Sequence, residues 1–573
     1  MICNDKVMEV VMNAAEVIVS LLENDGVEYV FGVPGGAVEP LNTALHSSTI
    51  KVIVAKHEQG AAFMADGYAR VSGNVAVCCS TAGPGATNMI TGIASSFADS
   101  IPVIALTGQV STSLFGKGAV QEFSIQSLGI INIFSQISKY SDIIINENKA
   151  GEMIAKARRL AMSGRKGPVH LNLPADIMKR KVADGNHQKF STTQVMGFDR
   201  EAVKEAAKLL LSAKRPVIVA GWGTVLSRAD VELLELAELM DIPVATSPKA
   251  KGILSESHPL SLGVLGFAGS PLSKEYIIKQ DVDVMLAVGT SFNEWVTPGW
   301  DKRLLPMKSL IHIDIDCNEI GKNYYVNVGI AGDARTVLRE LIYELRRTNK
   351  RKKVREDRCK DVLTMKENLK VKVRKSDKLP YHPQRMIMDL AAAVPKETLY
   401  FVDNGNCMAW AIRHLNVETP YSFFVGLGFA SMGFAVAASV GAKLAAGNRP
   451  VIALVGDGSF LMNGTEVATA VNYNIPVIWV VMNNSMLGMV YHGRKLANIP
   501  EGITSTFKPV DFVKLAEGFG ARGIKITKPG EINRKMMDEI ISAGVPTVLD
   551  VIIDPEAIPP IHSRIATLEK LYT

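Results

Sequence analysis

Cysteine is scarce in this chain: six in 573 residues, at Cys3, Cys78, Cys79, Cys317, Cys359 and Cys407. None stands in a CxxC pair or a recurrent spacing, which excludes a zinc ribbon or a disulfide framework and points to a reduced, intracellular protein. No uncharged apolar run reaches the roughly 20 residues that a membrane helix needs. Near the N-terminus no basic head, continuous apolar stretch and small-residue cleavage site stand together, so the cytoplasm is the expected compartment and no membrane partner is expected. Aromatic residues make up only 6%. None interleaves with the two basic runs at residues 345–355 and 370–375, which hold much of the excess behind the net charge of +6. Those runs read as a solvated helix and interdomain linker rather than a nucleic-acid surface.

What is present is apolar: 47% hydrophobic against 21% charged, the balance of a folded α/β protein. The length suggests three or four domains. Short apolar runs alternate with helix-like stretches throughout, which predicts doubly wound parallel sheets. In the first series the strands are expected at residues 27–31, 52–55, 74–79, 103–106 and 169–173. A polar interval at 183–197 precedes a second series at 216–220, 243–246, 284–288 and 309–314. The third series is expected at 399–402, 423–425, 451–455, 477–482 and 548–553. The expected domains are 1–181, 198–345 and 381–573, with a basic linker at 346–380. Three similar doubly wound units are compatible with an old duplication.

The segment 451–484 carries the sharpest chemical signal. A buried strand ends in Gly456-Asp457-Gly458-Ser459, a crossover follows, and a second strand ends in Asn483-Asn484. Asp457 and Asn484 are thereby expected at the carboxyl edge of one sheet, where ligands of open α/β sheets gather. Their oxygens suit a hard cation such as Mg²⁺, which shares its shell with phosphates, so a metal-bridged diphosphate site is expected. In Lys56-His57-Glu58-Gln59-Gly60-Ala61-Ala62 a short strand runs into a polar tetrad and a small-residue helix, which puts Glu58 at the carboxyl edge of the first sheet. The glycines flanking Pro84 in Ala82-Gly83-Pro84-Gly85-Ala86-Thr87-Asn88 let backbone pass close to a ring.

The spacing of Asp457 and Asn484 resembles the thiamine diphosphate signature. The ordered segments Phe31-Gly-Val-Pro-Gly-Gly-Ala37, Lys56-His-Glu-Gln-Gly60, Met64-Ala-Asp-Gly-Tyr-Ala-Arg70, Ala82 to Asn88 and Leu106-Thr-Gly-Gln-Val110 are similar to those of the acetohydroxyacid (acetolactate) synthase and pyruvate oxidase group over nearly the full length. That resemblance implies three domains: pyrimidine-binding, central Rossmann-like and diphosphate-binding. It implies Mg²⁺ held by Asp457, Asn484 and the Met486 carbonyl, and Glu58 as the carboxylate that activates the pyrimidine of thiamine diphosphate. Further cofactor contacts are implied at Pro34, Gly35, Gly83, Asn88, Asn406, Gly456, Gly458, Ser459, Leu487 and Gly488. Met432 would prop the cofactor in its bent form, and the Ala430 carbonyl would receive its amino group. Gln121 is implied at the catalytic centre, with Gly36, Ala37, Val120, Lys139, Tyr491, His492 and Gly493 in the substrate pocket. In the family each active site is built across a subunit interface, which implies a homodimer or a dimer of dimers.

The implied activity is decarboxylation of a small 2-oxo acid, pyruvate first, with transfer of the hydroxyethyl carbanion to an acceptor and acetolactate as the first product to test. Departures leave the acceptor open. Gly493 replaces the Trp that selects the second 2-oxo acid, Trp295 replaces an Arg for its carboxylate, and Asn406 and Cys407 replace the usual Gln and His. The losses bear on specificity, because a charge-assisted pair contributes about 1.5 to 3 kcal/mol. A plain decarboxylase, an aldehyde-transferring lyase, a flavin-dependent oxidase and a non-catalytic nucleotide-binding homologue are the alternatives. Ala220-Gly-Trp-Gly223 and residues 312–316 stand where relatives hold FAD or ADP, and either nucleotide, or none, fits this reading.

Overall fold

The computed structural model describes residues 12–182, 197–279, 281–348, 358–368, 377–500, 504–562 and 565. It contains three all-parallel six-stranded sheets, one for each expected series. The first is built from β1 (Tyr29–Gly32), β2 (Lys51–Val54), β3 (Ala76–Ser80), β4 (Val103–Gln109), β5 (Ser141–Ile143) and β6 (Val169–Pro174), in the order β2-β1-β3-β4-β6-β5. The second comprises β7 (Pro216–Ala220), β8 (Val244–Thr246), β9 (Ser261–Val264), β10 (Val284–Val288), β11 (Ser309–Asp314) and β12 (Val328–Ala331). Its order, β12-β11-β10-β7-β8-β9, is the 3-2-1-4-5-6 arrangement of dinucleotide-binding folds read from the other side. The third holds β13 (Leu399–Val402), β14 (Phe423–Val425), β15 (Val451–Gly456), β16 (Val477–Asn483), β17 (Arg522–Ile526) and β18 (Thr547–Ile552). Its order, β14-β13-β15-β16-β18-β17, repeats that of the first sheet.

In the first and third sheets the strand order reverses beside the opening strand, between β1 and β3 and between β13 and β15. A crevice opens at the carboxyl edge at such a point, because the two crossovers leave in opposite directions. The central strands are apolar throughout, as strands covered on both faces must be: β3, β4, β7, β10 and β13 are buried at every position.

By packing, residues 428–445 and 463–475 group with the first sheet and its helices, and the remainder of the chain after residue 194 forms a second unit. Within the first unit, helix Phe434–Ala445 lies against helix Glu58–Ser72. Their glycines are reciprocal. A Cβ on Gly67 would stand 1.9 Å from the Ala438 carbonyl oxygen, and one on Gly441 would stand 1.9 Å from that of Met64. The two backbones therefore touch, a separation only glycine permits, and Phe63 and Phe434 close the contact edge to face at 5.6 Å.

Part of the expected basic linker is folded. Residues Arg358–Asn368 form a helix within the second unit, where Val362 is fully buried and the Arg358 guanidinium donates to the carbonyls of Lys214, Met240 and Asp241. The polar interval 183–196 and the basic positions 349–357 and 369–376 lie outside the described residues.

Candidate active site

Glu58 opens the helix Glu58–Ser72, four residues after β2, where a carboxylate is favoured by the helix dipole. The turn that delivers it is fixed from two directions. His57 caps the helix, its Nδ1 accepting from the Gln59 N–H at 3.1 Å. The buried carboxylate of Glu466 accepts the N–H groups of Lys56 and His57 at 3.0 to 3.2 Å. Glu58 is 8% exposed, and its Oε2 accepts from Asn88 Nδ2 at 2.9 Å. Oε1 accepts from no group among the described residues, and a Cβ on Gly85 would come within 3.2 Å of it. Glycine there keeps the approach to the free oxygen open.

The loops at the β1/β3 crevice crowd together. A Cβ on Gly35 would strike the Thr81 side chain at 2.5 Å, and one on Gly83, whose φ is +62°, would meet Gln121 Cβ at 3.0 Å. Pro34 and Gly35 therefore lie beside the loop that carries Gly83 and Asn88, with Gln121 packed against it. Ala37 sits under β4, where Gly108 leaves it room. The crevice does not collect every expected residue. Val120 is 87% exposed. Lys139 precedes β5 and hydrogen-bonds Pro168 ahead of β6, which puts it at the amino edge of the sheet, opposite Glu58. Its ammonium caps helix Ala150–Met162, donating to the carbonyls of Leu160 and Ser163 at 2.6 Å each, and burial pushes its pKa down to about 8.

Residues 428–434, in the same unit, are tied by a buried ionic network to the amino edge of the sheet, at the far end of the helix that Glu58 opens. Arg70 pairs with Asp66 at 2.5 Å and Asp99 at 2.9 Å, all without exposed side-chain surface, and Asp99 Oδ1 accepts the Gly428 N–H at 2.9 Å. Ala430 then adopts φ +58°, unusual for a residue with a Cβ. Met432 follows half-buried, and the Gly433 carbonyl is fixed by Asn463 Nδ2 at 3.1 Å.

In the second unit, Asp457 lies immediately after β15 and is 2% exposed. Its carboxylate accepts three backbone N–H groups, from Gly458 at 2.7 Å, Asn484 at 3.0 Å and Ser485 at 2.5 Å. Burial pushes its pKa up despite these bonds, and among the described residues no cationic side chain pairs with it. Ser459 donates to the Asn404 carbonyl at 3.1 Å, which joins the β13 and β15 ends across the crevice. Beyond Gly456 and Asn484, Met486 is 7% exposed, and Leu487 leads into helix Gly488–Leu496. A Cβ on Gly488 would clash with Asn406 Nδ2 at 2.5 Å, so the N-termini of helices Gly488–Leu496 and Asn406–His414 converge. Paired helix N-termini favour an anionic group. Among the described residues no group of three His, Cys, Asp or Glu side chains gathers for a metal. A cation here would be held by one carboxylate with amide and backbone oxygens.

The three positions after this point differ in setting. His492 is 1% exposed, with Nδ1 2.8 Å from Asn406 Nδ2 and Nε2 3.0 Å from the Pro555 carbonyl. Nδ1 also lies 2.9 Å from the Gly488 carbonyl, and burial pushes the pKa of the ring down while the Gly488 and Pro555 carbonyls act the other way. Asn406 Oδ1 is buried without a hydrogen-bond partner. Tyr491 donates to Glu556 at 3.1 Å, and Gly493 has open space, a Cβ there meeting only Ile565 at 3.8 Å. Cys407 donates to the Asp403 carbonyl at 3.2 Å, and burial pushes the pKa of its thiol up.

The central crevice shows a different set. Gly221, Gly223 and Gly289 bring the β7 and β10 ends into backbone contact: a Cβ on Gly221 would stand 2.2 Å from the Gly289 carbonyl oxygen. Around them the hydroxyls of Thr246, Ser247 and Thr290, Asn293 Oδ1 and His312 Nδ1 are buried without partners.

Three family models match in chain order: the thiamine pyrophosphate enzyme N-terminal TPP binding domain at residues 12–128, the central domain at 203–341 and the C-terminal TPP binding domain at 403–551. The chain belongs to the thiamine pyrophosphate enzymes. Among curated members it is 39% identical to a probable acetolactate synthase large subunit of Methanococcus aeolicus, over 96% of this chain and 94% of that one. It is 35% identical to the acetolactate synthase large subunit of Corynebacterium glutamicum, over 95% and 87%. With the isozyme 2 large subunit of Escherichia coli the identity is 32%, over 98% and 100%. As a thiamine pyrophosphate enzyme, this protein uses thiamine diphosphate. Glu466 and the Asn406–His492 pair were not singled out together by the sequence. Their signal was faint, a lone Glu in a crossover and an amide and imidazole 86 positions apart.

Proposed function

We propose that this protein is a thiamine diphosphate- and Mg²⁺-dependent carboligase of the acetolactate synthase kind. It decarboxylates a small 2-oxo acid, pyruvate first, and passes the two-carbon fragment to an acceptor. The observation that carries this reading is Glu58, a carboxylate nearly removed from water, with one oxygen held by Asn88 and the other facing glycine. Bound thiamine diphosphate supplies the electron sink for decarboxylation. Glu58 would exchange a proton with the pyrimidine ring nitrogen, and Asn88 would keep the carboxylate in register, a general acid–base contribution of roughly 10²- to 10⁴-fold. Gly83 and Gly85 would leave the flat ring room, with Gln121 beside the reacting edge; the Ala430 carbonyl and Met432, held at the opposite edge of the same unit, would fix the tilt of a cofactor bound across a subunit interface.

Asp457, Asn484 and the Met486 carbonyl would hold the Mg²⁺. A buried carboxylate without a cationic neighbour among the described residues supports that assignment, since bound Mg²⁺ would supply positive charge there. Asn406, Ser459 and the N-terminus of helix Gly488–Leu496 would receive the diphosphate. The orphaned hydroxyls around Gly221 and Gly289 support an added nucleotide, FAD or ADP, in the central crevice, because buried polar groups otherwise find partners. A homodimer or dimer of dimers would complete each active site with a partner chain. The exposed side chains of Val120, Ile125 and Leu128, 71% to 87% accessible on one loop, support such a contact.

Release of CO₂ from pyruvate by the purified protein, with and without thiamine diphosphate and Mg²⁺, tests the reading. Glu58→Gln is expected to lower kcat at least 100-fold; unchanged turnover would remove Glu58 from the mechanism. Product analysis separates acetolactate from acetaldehyde or acetate, and the visible spectrum reports flavin.

A further inference from the structure

Within the second unit a cavity of about 630 Å³ opens where residues 265–271 and 298–304 of the central domain meet helix Asn406–His414. Arg413 projects to it, half-buried. Its Nε donates to the Ala268 carbonyl at 3.0 Å, and no carboxylate among the described residues meets its terminal nitrogens. A second cavity of about 720 Å³ shares the same guanidinium. The acidic side chains in the two walls are both taken. Asp301 is engaged by Arg303 at 2.6 Å, and Glu256 by Lys251 at 2.6 Å from each of its oxygens. Lys274 adds a further cation at the rim.

Other cationic groups stand near the Arg413 guanidinium. His414, on the same helix, is pushed down to about 4 by burial and by the charges of Arg413, His382 and Lys251. The rest of the first cavity is mixed, with Ser270, Lys302, Arg303 and His562 sharing its lining with an apolar group. Leu265 and Leu304 are buried in its floor, while Pro298 and the half-exposed Trp300 form a side. A guanidinium withdrawn from water without a counter-charge is costly unless an anion reaches it, and its planar fork is shaped for a carboxylate or phosphate.

We propose that this cavity binds a small organic anion, with a carboxylate or phosphate on Arg413 and an apolar body against Leu265, Trp300 and Leu304. Neither the cofactor residues nor the carboligation reading enters this assignment, and it stands if that reading fails. Binding is measured by titration calorimetry on the full-length protein loaded with thiamine diphosphate and Mg²⁺, using hexanoate, hexyl phosphate, acetate and inorganic phosphate as probes. Hexanoate or hexyl phosphate is expected to bind at least tenfold more tightly than acetate or inorganic phosphate, and the better of the two names the headgroup. Arg413→Gln is expected to weaken that binding at least tenfold while Arg413→Lys retains most of it, with unfolding temperatures recorded to show that both variants are folded. Absence of binding by both six-carbon probes, equal binding by inorganic phosphate, or undiminished binding by folded Arg413→Gln would overturn the proposal. Should Arg413→Gln fail to fold, Leu304→Asp decides in its place: tight hexanoate binding that survives it overturns the assignment, and its loss with the fold intact supports it.

Discussion

At the scale of single residues, the site depends on groups whose own partners are scarce. His492 is one. Its ring meets the Asn406 amide and the Gly488 carbonyl at Nδ1 and the Pro555 carbonyl at Nε2, so ring and amide hold each other in place. Removing a partner from a buried polar group costs about 1 to 3 kcal/mol. His492→Ala is therefore expected to weaken thiamine diphosphate binding by roughly 5- to 100-fold with a smaller change in kcat. His492→Gln, whose amide can also accept, is expected to recover most of it, and calorimetry on the purified variants reads both. His170 offers a pH test away from the cofactor residues. It is buried between Thr107 and Ser141 hydroxyls, stacked on Phe134, with its pKa pushed down to about 3 by burial. In the unfolded chain it titrates near 6.5, so between about 6.5 and 3 the unfolded state binds the extra proton. Stability is full above pH 6.5 and falls as pH drops through that window. Denaturant unfolding at pH 7 and pH 5 should show a smaller difference in His170→Gln than in the parent.

The positions legible in the sequence were those at strand and helix ends: Glu58 at the start of the helix after β2, and Asp457 and Asn484 just after β15 and β16. Asn88 was legible as a motif member, but its bond to Glu58 was not. Lys139 matched a motif position, yet its two carbonyl bonds commit it to a helix end, and only coordinates show which edge of a sheet a loop lies on.

At the scale of elements, the expected strands were those with dense apolar runs. β5, β9, β12 and β17 were missed, and all four lie at the outer edge of their sheets. A strand paired on one side and partly wet alternates or loses its apolar residues. β12 alternates buried and exposed positions, and β17 is exposed at Arg522 and Lys525. Periodicity reports burial, and edges are less buried. The contact between helices Glu58–Ser72 and Phe434–Ala445 was equally invisible, because a glycine in a helix signals nothing until its neighbour is known. Gly67→Ala should force the two backbones apart, costing about 1 to 3 kcal/mol as overpacked substitutions do, and lowering the thermal midpoint. A midpoint unchanged within error would show that the contact relaxes freely.

At the scale of the whole molecule, fold class was legible because three βα series each exceed what one core needs. The grouping of residues 428–445 and 463–475 with the first sheet was not, since packing between distant segments leaves no local pattern. The proposed assembly has a direct test. Replacing Val120 and Ile125 together by Asp is expected to shift the protein to monomer in sedimentation and to abolish CO₂ release with the fold retained by circular dichroism. A monomeric variant with full activity would show that one chain suffices.

The same grouping governs how the protein is made. The helix that begins with Glu58 acquires its packing partner only when residue 441 has been synthesised, and Glu466 later still. At roughly 5 to 20 residues per second, the ribosome needs some 15 to 60 seconds to travel from the end of β6 to residue 475. Through that interval the nascent first unit carries an uncovered face of glycine, alanine and phenylalanine.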